Sequence, residues 1–382
     1  MNDIFENALT VIKKNRQRRL DGGYNSIPFT IKKLNRVIPG VQRKNLTIVS
    51  AATGVGKSKL AKLLYVIEPI DFVVNNPKAN IKLNIFYFAL EESKENFYHS
   101  IMVYKLYKDH KIVVPIKKLK SILLDEIIDA DIIEKIEGMR EWFNIFKKHV
   151  KVIDDIRKPT TIFKTVEDYL LKVGYWKTKK QVFHFKEGDK IIETKDKFNY
   201  NHDQHYVGVI IDHLALLSTE KGLNLHQTMS RMSSDYGIAL RDKYECFLTF
   251  IQQQAFETEA KQYTMKGGLV EEKLEPSMQT LGDNKLIGRD ADEIIALFAP
   301  DRYDIGNHRG YQVLKMQDHY RSLQILKSRD GMANVRIGLF FDGRTNVFEE
   351  LPLAKEMTDE DYEYYANRVG KSLQVKSTTV KF

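Results

Sequence analysis

Residues 49–58 read V-S-A-A-T-G-V-G-K-S. Their last three, Gly56-Lys57-Ser58, form the ending of a phosphate-binding loop. In such loops the glycines let successive backbone N–H groups curl toward phosphate oxygens. The position that usually opens the motif with glycine holds Ala51. Alanine is sterically mild there, because Gly54 and Gly56 remain where the backbone approaches phosphate most closely. The flanks supply the context that the motif demands. An apolar strand pattern fills 45–51, and an amphipathic helix follows over 58–67, with Leu60, Leu63, Leu64 and Ile67 on one face and Pro69 as its stop. In a loop of this kind the backbone of Ala52, Thr53, Gly54, Val55 and Gly56 cradles the phosphates of ATP. Lys57 reaches the β- and γ-phosphates, and Ser58 ligates Mg²⁺.

Outward from the loop, apolar strand-like runs alternate with helical patterns. Strands are expected at 45–51, 84–90, 150–156, 207–214, 247–252, 293–298 and 323–326, and helices at 93–107, 116–149, 159–174 and 227–244. Near-continuous apolar strands separated by helices predict an α/β fold with a mostly parallel central sheet covered on both faces. The core ends in a C-terminal hairpin over 335–348, turning at Asp342-Gly343. Two segments interrupt the alternation. Residues 176–205 hold seven lysines and read as a surface insertion with its own hairpin around Glu187-Gly188-Asp189. Residues 255–285 are polar and without period, a length of loop that is usually functional. Before the core, residues 3–20 predict a basic amphipathic helix with Phe5, Ala8, Leu9 and Ile12 on one face, broken by Gly22-Gly23. Its stripe has to dock either on its own chain or on a neighbouring copy. After the core, residues 358–382 offer a short acidic helix capped by Thr358 and then a polar, basic end. The organisation expected is therefore a basic amphipathic helix (1–22), an ATPase core (23–352) and a tail (353–382).

A phosphoryl-transfer site needs a metal-side carboxylate, a group to orient water and a cation for transition-state charge. Strand ends supply candidates for each. G-V-I-I-D ends in Asp212, the usual form of a second nucleotide motif on the Mg²⁺ side. F-A-L-E-E ends in Glu91-Glu92, either of which could polarise water. F-I-Q-Q-Q ends in Gln252, Gln253 and Gln254, amides able to sense a γ-phosphate. L-K-S-R-D-G ends in Lys327 and Arg329, whose i, i+2 spacing puts both on one face of a strand.

Composition narrows the class. The chain has 382 residues, is 43% hydrophobic and carries a formal charge of +9, which suits a polyanionic partner. One cysteine excludes an internal disulfide and a multi-thiolate metal site, and fits a reducing, cytoplasmic setting. No apolar run reaches the roughly 18 residues of a membrane span.

In this order V-S-A-A-T-G-V-G-K-S, F-A-L-E-E, I-I-D-H-L, F-I-Q-Q-Q, I-G-R-D-A-D and L-K-S-R-D-G resemble the motifs of DnaB-type replicative DNA helicases, hexameric motors with a RecA-like P-loop NTPase core. That family commonly has alanine at the first phosphate-loop position. The resemblance spans about residues 20–352 and implies an ATP-dependent, ring-forming helicase translocating on single-stranded DNA. It implies Glu91 as catalytic glutamate, Asp212 as the second-motif acid, Gln253 as sensor, and Arg329 with Lys327 as cations acting on the adjacent subunit's nucleotide. Loops after Asp212 and Gln253 would line a channel, with Lys221, Lys261 and Lys266 as DNA contacts. A primase, a loader or another replisome protein is the expected partner, although only the basic helix stands where the family has a primase-engaging domain. His213 stands where the family often has an aromatic, and 176–205 and 301–320 look like extra segments. Another RecA-like ATPase, such as a recombinase or clock-type ring, and a non-enzymatic nucleotide-binding assembly factor remain open at this point.

Overall fold

The structure is a computed structural model that describes residues 4–185, 188–254, 273–281 and 286–369. Eleven strands occur among them: β1 (Asn45–Ala51), β2 (Lys82–Ala89), β3 (Val150–Ile153), β4 (Gly174–Phe185), β5 (Gly188–Tyr200), β6 (His205–Asp212), β7 (Phe247–Gln253), β8 (Glu293–Phe298), β9 (Tyr320–Ser328), β10 (Val335–Asp342) and β11 (Val347–Glu350). Nine of them form one sheet in the order β11-β10-β9-β8-β1-β7-β6-β2-β3. From β8 to β3 the pairing is parallel, whereas β9, β10 and β11 add on antiparallel. Every residue of β6 and β8 is buried, as a doubly covered sheet requires. One large apolar cluster packs on each face. The expected strands are all present.

Three local expectations give way. Pro69 does not end the helix after the phosphate loop. The helix Lys57–Lys62 widens into a π-turn over Leu63–Ile67 and continues as Glu68–Asn75. The Glu68 N–H reaches back to the Leu63 carbonyl, so the ladder is already displaced where the proline lacks a donor. The expected helical stretch 116–149 splits into Ile116–Leu119, Ala130–Gly138 and Arg140–His149. Ser121 takes a left-handed φ of 49° and its hydroxyl accepts the Ile128 N–H, so 120–129 forms a loop. The stretch 227–244 is likewise interrupted by a π-turn at Arg231–Gly237.

The N-terminal helix spans Ile4–Leu20 with no buried residue. Polar contacts fasten its second half to the core: Lys14 and Arg18 both pair with Asp203, at 2.6 and 3.1 Å. Strands β4 and β5 pair only with each other and form an arm outside the main sheet. The tail helix, Asp359–Val369, starts with the expected cap, the Thr358 hydroxyl accepting the Asp361 N–H at 3.1 Å. It packs on the antiparallel end of the core, where Tyr362 is buried and the Arg368 guanidinium lies 4.7 Å from the Phe340 ring centre. Residues 370–382, 255–272 and 282–285, including Lys261 and Lys266, lie outside the described residues.

Candidate active site

The parallel register brings the ends of β1, β7, β6 and β2 to one edge of the sheet. The phosphate loop leaves β1 there. Gly54 and Gly56 have φ of 73° and 112°, a region that side-chain-bearing residues avoid. A Cβ at Gly56 would also come within 3.2 Å of the Phe341 and Phe348 rings. Lys57 is 5% exposed, yet its ammonium emerges 3.9 Å from the Glu91 carboxylate. The Ser58 hydroxyl donates to Asp212 at 2.9 Å, and the other Asp212 oxygen accepts the Tyr87 hydroxyl at 2.7 Å. Burial and the adjacent Asp212 push the Tyr87 phenol well above its usual range, so it stays a donor.

Lys57, Ser58, Glu91 and Asp212 thus line one cleft of about 500 Å³. A larger hollow, about 900 Å³, lies beneath the N-terminal helix around Asp203 and Tyr24 and carries no such set. The two adjacent glutamates are distinguished by their neighbours. Glu92 is held by Lys62, whose ammonium lies 4.9 Å from the Phe97 ring centre, and burial raises its carboxyl. Glu91 is 47% exposed at its side chain and faces Lys57. The three glutamines also separate. Gln252 is buried and donates to the Leu281 carbonyl at 3.4 Å. The Gln254 N–H closes onto the Ala51 carbonyl at 3.1 Å. Gln253 sits 3.2 Å from His213 Nε2, next to Asp212.

Residues that sequence reasoning missed fix the loop from beneath. Arg321 is 1% exposed and donates through Nε to the Val55 carbonyl at 2.9 Å and through Nη2 to Asp318 at 3.0 Å. Arg302 donates to the Thr53 carbonyl. Both belong to or adjoin 301–320, read in sequence as an extra segment. It follows β8 off the same sheet edge, which is why it meets the phosphate loop. Lys59, lowered to about 8 by burial, donates to the Gly343 carbonyl at 2.8 Å. No local pattern announces these contacts, since each joins a side chain to a backbone carbonyl far away in sequence.

Lys327 and Arg329 do not join this cleft. Because β9 runs antiparallel to β8, its end lies at the opposite edge: Ser328 pairs with Glu293, and Glu293 with Thr47 near the start of β1. The seven residues of β1 separate the two edges by about 20 Å. There Lys327 donates to the Gly288 and Arg289 carbonyls at 3.0 and 3.1 Å. Arg329, half exposed, pairs with Asp292 at 2.9 Å. Lys221 is exposed on the turn after β6.

Comparison with solved structures agrees with this topology. The chain is similar to the ATPase domain of G40P, at TM-score 0.64 and 17% identity over 92% of this chain and 100% of that one. It is also similar to a DnaB-like replicative helicase studied with primase, at TM-score 0.61 and 17% identity over 92% of this chain and 68% of that one. The fold is RecA-like, of the kind found in DnaB-like helicase ATPase domains. A KaiC-like protein of Pyrococcus horikoshii is more distant, at TM-score 0.45 and 10% identity over 86% of this chain and 99% of that one. No protein-family model matches the chain, and no curated protein matches it.

The cleft fits a nucleoside triphosphate by its own chemistry. It offers a turn of positive-φ glycines, a helix N-terminus, a lysine and a hydroxyl–carboxylate pair. Among the described residues no helix is long and apolar enough to cross a membrane.

Proposed function

We propose that the chain is an ATP-dependent, ring-forming DNA helicase that moves along single-stranded DNA during replication. The observation that carries the reading is the division of labour between sheet edges: Lys57, Ser58, Glu91 and Asp212 share one cleft, while Lys327 and Arg329 stand at the far edge. A subunit so built would offer Lys327 and Arg329 to a neighbour.

In this reading the backbone of Ala52 to Gly56 and the Lys57 ammonium bind the triphosphate. Ser58 and Asp212 hold Mg²⁺, which when bound supplies positive charge across the phosphate oxygens. Glu91 takes the proton of the attacking water, aimed by its contact with Lys57. Gln253 senses the γ-phosphate and, through its contact with His213 and the residues that follow β7, relays its presence to the DNA-gripping segments. Arg329, with Lys327 beside it, neutralises transition-state charge in the adjacent cleft. Asp292 holds the Arg329 guanidinium at the edge. Lys221, Lys261 and Lys266 are the side chains that would grip DNA phosphates. The division into linker helix (1–22), core (23–352) and tail (353–382), docking of the linker helix on a neighbouring copy, a hexameric ring, a cytoplasmic setting and a primase or loader as partner complete the proposal.

The decisive experiment measures ATP hydrolysis with and without single-stranded DNA, together with native mass and strand separation on a forked substrate. Hydrolysis by assembled rings, stimulated by the single strand and coupled to unwinding, is expected. Hydrolysis by a monomer that is indifferent to DNA would overturn the reading.

A further inference from the structure

The β4–β5 arm is unused by the site above. Its root is fixed. Trp176 and Phe198 pack against Tyr244, at ring separations of 5.3 and 5.0 Å, and the Tyr200 hydroxyl donates to the Tyr244 carbonyl at 2.6 Å. Beyond the root, β4 is open to solvent on both faces from Lys177 to Val182, where Lys177, Thr178, Lys179, Lys180, Gln181 and Val182 are all exposed in succession. Between residues 172 and 200 the sequence has eight lysines against four acidic residues.

The two faces differ. Trp176 and Phe198 are directly paired and point to the core. The opposite, outward face carries Tyr175, Lys177 and Lys179 from β4, and Lys197 lies directly across from Lys177. Lys179 is balanced by Asp196 at 2.9 Å. Lys177 and Lys197 have no acidic partner among the described residues. Like charges directly opposed on a strand pair destabilise it, so this pairing works against the fold of the arm. Lysines on exposed edges also discourage strand-to-strand association, but that end needs no opposed pair. An anion bound across the pair would offset that repulsion. Near the foot of the arm, Lys172 in the last turn of the preceding helix lines, with Lys147, Lys148, Lys151 and Asp168, a cleft of about 340 Å³ at the outer end of the sheet.

A two-stranded ribbon is one of the two protein elements that the major groove of B-form DNA admits. On side chains long enough to splay outward from the ribbon, opposed cations can reach phosphates on both sides of such a groove.

We propose that the outward face of the β4–β5 arm binds the phosphate backbone of double-stranded DNA, without reading its sequence. This contact is separate from the nucleotide cleft and goes beyond the helicase reading, since it stands whatever the ATP drives.

The test uses the full chain and the triple variant Lys177→Gln, Lys179→Gln, Lys197→Gln, none of which touches the nucleotide cleft. A blunt duplex of roughly three helical turns and an oligo-dT strand of equal length serve as probes. Duplex affinity is expected to fall at least about tenfold near 0.1 M salt, and the slope of log affinity against log salt to shrink by about 2–3, one phosphate contact per lysine. Oligo-dT affinity and oligo-dT-stimulated hydrolysis are expected to match the parent. A second variant, in which residues 177–197 are replaced by a Gly-Gly turn joining Trp176 to Phe198, is expected to show the same loss. Unchanged duplex affinity in either variant overturns the proposal. So does an equal loss for both probes, or a change in native mass with duplex binding intact, which would assign the arm to protein contacts. Loss of ATP hydrolysis in the parent chain would sink the helicase reading and leave this one standing.

Discussion

The side chains around the cleft divide into those proposed to react and those that hold the others in place. Glu91→Gln keeps the shape and removes the basic oxygen. Its kcat is expected to fall about 100- to 10,000-fold with ATP binding retained, read by single-turnover hydrolysis and by nucleotide titration. Arg321 works one step removed, through the Val55 carbonyl. Arg321→Met leaves that carbonyl without its donor and lets the loop relax. The KM for ATP is expected to rise about tenfold, the worth of one charge-assisted hydrogen bond, while kcat at saturation moves less. Arg321→Lys is expected to recover part of the loss. A uniform fall in kcat would mean that Arg321 acts on the reacting phosphate instead. These two residues also mark the limit of what the sequence reveals. Lys57, Ser58 and Asp212 are legible because loop chemistry demands them at fixed offsets from a strand. Tyr87, Arg302 and Arg321 are not, because a donor to a remote carbonyl or carboxylate leaves no spacing to read.

Among the elements, strands proved easier to read than helices. The parallel strands are continuous apolar runs, and burial on both faces leaves such runs no other place. Helix interruptions depend on single backbone events, the left-handed Ser121 and the π-turn before Pro69, which periodicity does not encode. The π-turn also sets the surroundings of Glu68, first residue of the resumed helix, buried against Thr30. Burial raises its carboxyl from 4.5 to about 7. The native state then holds a proton that the unfolded chain has released, so this group's contribution to stability is greatest below about pH 4.5 and is lost as pH rises toward 7, by up to about 3 kcal/mol. Glu68→Gln cannot ionise, and its urea midpoint is expected to fall less than the parent's between pH 5 and pH 8. Glu293, also raised to about 7 by burial, keeps a residual slope in the variant. Parallel slopes in the two proteins would show that Glu68 ionises freely in the fold.

For the molecule as a whole, the separation of the two sheet edges makes the proposed catalysis a property of pairs. Lys57→Ala spoils a chain's own cleft, and Arg329→Ala spoils what it lends. Each variant alone is expected to be inactive. Mixed in equal amounts, they create some junctions where an intact cleft meets an intact arginine, so hydrolysis is expected to return to roughly a quarter of the parent rate if junctions act independently and subunits mix freely. No recovery in chains shown to co-assemble would refute donation across the junction.

The placement of Arg329 at one edge and Lys57 at the other gives each subunit a head and a tail. In the proposed assembly, an unclosed row of such subunits ends with one cleft that no arginine visits and one arginine that visits nothing. Closing the circle removes both idle ends at once, so catalytic output per chain becomes a gauge of whether the assembly has met itself.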